Sequence, residues 1–114
     1  MREIRFRAWD TENKCMRNNV AVGLGMVEYD LSCHQPVEIM IPMQFTGLFD
    51  KNGKEIYEGD ILKIGNSNIE VIWDKNNAWF TLKSNHFHLG FQSTFYEVIG
   101  NIYEHPNLLE SEEK

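Results

Sequence analysis

"DKNGKEIYEGDIL", residues 50–62, decides the fold. A polar tip holding Asn52-Gly53 is followed by Glu58-Gly59-Asp60 and then by an apolar run. Two readings compete. A calcium loop of the EF-hand type needs acids at alternating positions, glycine at the sixth and a bidentate glutamate at the twelfth. Counted from Asp50, the glycine is fourth and the twelfth residue is Ile61, so the spacing fails. As a device for turning the chain twice, the stretch is consistent throughout. Asn52 and Gly53 supply the positive φ of a hairpin turn. Gly59 permits a sharp reversal, and Asp60 can hydrogen-bond its own neighbourhood. Asn52, Gly53, Gly59 and Asp60 are therefore assigned to turns and not to a ligand.

Working outward from this stretch, period-two patterns recur. "MQFTGLFD" precedes the turn as a strand, and a second strand runs from Asp60 to Ile64. "NSNIEVIWD" and "AWFTLKS" read as a hairpin joined at "KNN". Ile69, Val71 and Trp73 share one face of its first arm; Ala78, Phe80 and Leu82 share one face of the second. "STFYEVIGNIYE" is a further strand with a bulge expected at Gly100, and "HPNLLESEEK" is a proline-initiated helical turn with an acidic tail. At the other end, "EIRFRAWD" alternates, placing Ile4, Phe6 and Ala8 opposite Arg5, Arg7 and Trp9. A turn at "TENK" then leads to a strand near Cys15-Met16. "VAVGLGMVEYDL" is open between an irregular strand pair and a loop. Pro36 and Pro42 bracket a run that suits an edge strand or a connector.

Short strands with turn signals between them, and no sustained helical period, predict a mainly β protein. The expected organisation is an N-terminal β subdomain over residues 1–43, an SH3-like small barrel over 44–105, and a helical turn with an acidic tail over 106–114. The chain has 114 residues, 42% hydrophobic and 25% charged, which is enough to bury a core without a staple. Cys15 and Cys33 make no disulfide framework, and no apolar run approaches the roughly 20 residues of a membrane span or forms a signal peptide core. Cytoplasmic location and no membrane partner are the expectations.

The net charge of −6 is unevenly spread. Residues 21–49 contain three acids and neither Lys nor Arg, whereas residues 1–20 carry five Arg and Lys. An acidic chain repels a nucleic-acid backbone at long range. Nucleic-acid binding would need the local stripe Arg5, Arg7 and Trp9, mixing charge with a stacking ring; the alternative is a guanidinium lying over an aromatic ring of its own chain. His86 and His88 share a strand face, yet no third ligand stands at a meaningful spacing, so no metal or cofactor is assigned. Ser32, Cys33 and His34 are adjacent and point apart in an extended chain. With no nucleophile motif, an enzyme is not expected. The aromatics of residues 73–96 exceed what one small barrel encloses. Trp79, with Phe87 or Phe91, is therefore expected to cover a second subdomain or a neighbouring chain, and the three are the candidate binding residues of that surface.

Three segments, "REIRFRAWD" at 2–10, "MQFTGLFDKNGKEIYEGDILKI" at 43–64 and "YEVIGNIYEHPNLLE" at 96–110, together resemble the YopX family of phage and prophage proteins. The resemblance implies a β-rich fold with an SH3-like barrel in the C-terminal part, and a place among proteins encoded by phage and prophage genes. It brings no catalytic or binding residues to carry over. The expected function is a non-enzymatic module that binds a host or phage protein, or itself. Nucleic-acid binding through the N-terminal strand is the alternative.

Overall fold

The computed structural model describes residues 4–29, 33–76, 78–83 and 96–110. The described elements are β1 (Phe6–Asp10), β2 (Cys15–Gly23), β3 (Met26–Tyr29), β4 (Cys33–Pro36), β5 (Met40–Phe49), β6 (Glu55–Tyr57), β7 (Asp60–Ile64), β8 (Ser67–Asp74), β9 (Trp79–Leu82), β10 (Glu97–Asn101) and α1 (Asn107–Glu110). The protein is mainly β, and every described pairing is antiparallel. No described helix is long and apolar enough to cross a membrane. The chain divides into two compact units, Met1–Phe45 and Thr46–Lys114. The expected boundary is Met43; the division falls after Phe45, inside β5, and α1 lies in the second unit.

In the first unit the strands lie in the order β4-β3-β2-β1, with the start of β5 against the far side of β1. Ala8, Val20, Val27 and Met40 form its buried core, with Phe6, Val22, Tyr29 and Val37 packed against them. The stretch that was least legible in sequence is two hairpins. β2 and β3 meet through Leu24-Gly25, with Val22 opposite Val27 and Gly23 opposite Met26. Both turn residues have positive φ, 53° and 74°, as a two-residue turn matched to strand twist requires. β2 also carries a bulge. Phe6 pairs with Val20 but Arg7 pairs with Asn18, so Asn19, at φ 58°, is the extra residue.

Pro36 and Pro42 occupy two different edges. Val37 N–H donates to Gly25 O, so alternation along β4 turns the backbone of His34 and Pro36 away from β3. Phe45 N–H donates to Arg5 O, which likewise turns the ring nitrogen of Pro42 away from β1. Each proline thus stands where an N–H would otherwise face away from the paired strand: Pro36 on β4, which ends its sheet, and Pro42 near the start of β5, on the side along which β6 pairs. Prolines there blunt an edge against strand addition.

The second unit holds a sheet of order β10-β7-β8-β9 and the β5–β6 hairpin. Ile56, Leu62, Ile69, Val71, Phe80, Leu82 and Tyr96 form its core. Among the described residues no pairing joins β9 back to β10, so the described sheet is open, where the sequence led us to expect a barrel.

Candidate functional site

The charged residues that look most like a site in sequence are engaged in turns. Asp50, buried at the end of β5, is the hub of the opening stretch. Its Oδ1 accepts the N–H groups of Asn52 (2.8 Å) and Lys54 (2.9 Å), and its Oδ2 accepts Val98 N–H at 2.9 Å. Burial pushes this carboxyl up, but the Val98, Lys54 and Asn52 N–H groups and the Lys54 charge outweigh it, and the group sits below its usual range. Gly53 and Gly59 have φ of 82° and 88°. Asn52 gives its N–H to Asp50, and Asp60, almost wholly buried, accepts Tyr57 N–H at 2.8 Å. Gly59 is tied on both sides, to Val71 O and by Ile102 N–H.

Asp10 does the same work in the first unit. It accepts Glu12 and Asn13 N–H, Asn13 Nδ2 and the Arg17 guanidinium at 2.9–3.2 Å. The Asn13 side chain and N–H, then Arg17 and Glu12, hold it at about 2 against burial, which raises it. Asp74 opens the third such turn, accepting Asn76 N–H at 3.0 Å. The two loops share a pattern: the aspartate carbonyl accepts the N–H four residues on, from Lys14 at φ 56° and from Ala78 at φ 57°.

Two of the three residues of the N-terminal stripe are buried, and Arg5 is half-buried. The alternation predicts that Arg5, Arg7 and Trp9 form an outer face, yet Arg7 and Trp9 are each only 8% exposed. The physical reason is position: β1 is bordered on both edges by β2 and β5, and residues on both its faces are buried. Arg7 Nη2 lies 3.7 Å from Met43 Sδ, and the Arg5 guanidinium stands 5.0 Å from the Phe45 ring centre. Trp73, expected inside with Val71, is 40% exposed and meets Phe80 edge-on at 4.8 Å. It sits near the far end of β8, where the buried face runs out. Trp79, on the neighbouring pair with Asp74, is also exposed. Phe87, Phe91, His86 and His88 lie outside the described residues. Among the described residues no group of three His, Cys, Asp or Glu is placed to hold a metal. β4 sets Cys33 and His34 on opposite faces.

What remains open is the outer face of β2, β3 and β4. The cross-strand pairs put Ala21 and Gly23, Met26 and Glu28, and His34 and Pro36 on one side of the sheet. A shallow hollow of about 250 Å³ opens there, lined by Ala21, Val22, Gly23, Leu24, Met26, Glu28 and His34. A Cβ added at Gly23 would meet nothing within 4 Å, so the missing side chain deepens the hollow. Leu24 stands at the rim, fully exposed, and Met26 is exposed beside it. The sequence points to none of these residues as a binding surface: His34 enters only beside Ser32 and Cys33, and Pro36 only as an edge signal. The one signal that pointed to them was an apolar Leu-Gly where hairpin turns favour Asn-Gly.

These features define a two-unit antiparallel β protein whose acids fasten its turns and whose first unit exposes an apolar hairpin tip. The YopX protein family matches residues 5–110, and the chain belongs to that family. It is similar to a solved structure, the crystal structure of protein EF1440 from Enterococcus faecalis. The identity is 28%, with a TM-score of 0.72, covering 96% of this chain and 99% of that one. No curated protein matches it.

Proposed function

We propose that this protein is a non-enzymatic accessory protein of a phage or prophage, working in the bacterial cytoplasm by binding another protein or a second copy of itself. One observation carries this reading: the outer face of β2–β3–β4 exposes Leu24 and Met26 around a hollow at a hairpin tip. Exposed apolar groups gathered at one place are a feature of interaction surfaces. The carboxylates of Asp10, Asp50 and Asp60 are engaged with backbone N–H groups in turns, which agrees with this reading. Nucleic acid is the weaker partner, because Arg7 and Trp9 are buried and the overall charge is −6.

Size-exclusion chromatography with light scattering, together with pull-down from host lysate using wild type and Met26→Asp, tests the reading. A dimer, or a retained protein, that is lost in Met26→Asp is expected. A strictly monomeric protein that retains nothing would contradict it.

A further inference from the structure

We infer that the β2–β3 hairpin tip is an anchor for a heterologous protein segment rich in Lys or Arg and bearing an apolar side chain, with Leu24 as the knob and the Gly23 hollow as the hole. The inference rests on the protein-binding reading above and names the partner's chemistry. Two residues here go against what a hairpin needs. Leu24 takes φ 53°, a left-handed backbone that is strained for leucine and that asparagine or glycine adopts with ease. Gly23 lies within β2, where it contributes no packing and weakens the strand, although a side chain would clash with nothing. A hairpin built for stability alone would carry a β-branched residue followed by Asn-Gly. Strain and lost packing held at one fully exposed spot are what a binding feature would impose.

Charge selects the occupant. From Asn18 to the end of the first unit at Phe45 the chain carries Glu28, Asp30 and Glu38 and no Lys or Arg. The hollow itself is bordered by Glu28, with His34 directly across from it on β4. A second copy meeting this face with its own would set Glu28 against Glu28; a basic segment would be attracted. Strand addition is blocked at the β4 edge, because Pro36 has no N–H and only His34 turns one outward among the described residues of β4. The partner therefore seats on the face and not along the edge.

A random peptide library displayed on filamentous phage is selected against the full chain, and the enriched peptides are titrated against Leu24→Asn, Gly23→Val and Glu28→Lys. Enrichment of peptides pairing Lys or Arg with a large apolar residue is expected, with affinity falling roughly thirty-fold or more in Leu24→Asn and Gly23→Val. Leu24→Asn is expected to melt about 4 °C higher than wild type, because the strain is relieved. Lost binding in a stabilised protein separates anchoring from folding. Acidic or uncharged consensus peptides, or peptides still bound by Leu24→Asn, would overturn the inference while leaving protein binding itself in place. No enrichment at all, from a protein that is also monomeric and retains nothing from lysate, would overturn both.

Discussion

Replacing Asp50 by asparagine tests whether the charged stretch 50–62 is a fastening rather than a site. The carboxylate joins its own turn to β10, through Val98 N–H, 48 residues further along. Lys51 strengthens the same junction, its N–H donating to Tyr96 O at 3.0 Å and its ammonium lying 3.6 Å from Glu97. In Asp50→Asn the amide oxygen can still accept from Asn52 and Lys54. Its NH₂ group then faces Val98 N–H, donor against donor. One charge-assisted bond is lost and a largely buried N–H is left unsatisfied, which costs about 2–3 kcal/mol. Asp50→Ala removes all three acceptor contacts and is expected to cost more, roughly 4 kcal/mol, which is a large share of a small domain's stability. Urea unfolding followed by tryptophan fluorescence measures the difference, and hydrogen exchange at Val98 locates it. The folded carboxyl titrates below its unfolded counterpart. Its stabilisation is therefore full above the unfolded value of about 4 and is lost as pH falls through the lower folded value. Asp50→Asn should remove that part of the acid sensitivity. An Asp50→Asn protein within about 0.5 kcal/mol of wild type, with Val98 protection unchanged, would show that Asp50 does not fasten its turn to β10.

Asp10 provides a second acid-sensitive fastening. With a folded value of about 2 against an ordinary aspartate value of 3.8, its contribution is expected to fade as pH falls between those two values, and acid titration of Asp10→Asn should show a shallower loss of stability across that window. Gly100→Ala places a Cβ 2.6 Å from His105 Nδ1 and 2.8 Å from its Cγ, so an overpacking loss of about 1–3 kcal/mol is expected in thermal melts. The loss should shrink in the double variant with His105→Ala. Pro36→Val and Pro42→Val restore an outward N–H at the two edges of the first unit. Light scattering on concentrated samples should show faster aggregation of each; unchanged behaviour would mean that these prolines guard nothing.

Much of the second unit is readable from sequence because its signals are local. Asn52-Gly53, the apolar run after Asp60 and the alternation of residues 67–74 each act within a few residues. The first unit resists reading for physical reasons. The extra residue at Asn19 shifts the phase of β2, so its alternation breaks. The β2–β3 turn uses Leu24-Gly25 and hides its hairpin. Arg7 and Trp9 read as an outer face because a two-fold period reports which residues share a face and not whether that face is covered. The role of Asp50 was invisible for another reason: its partner Val98 is distant in the chain. The candidate face itself left only the trace of an apolar residue in a turn.

The most direct test of the division between turns and binding face is an amide chemical-shift map of the isotope-labelled chain, titrated with an enriched basic peptide. The account predicts shifts confined to Ala21, Gly23, Leu24, Met26, Glu28 and His34, with the amides of residues 50–60 unmoved. Shifts centred on Asp50, Gly53, Gly59 and Asp60, with the hairpin tip silent, would contradict it.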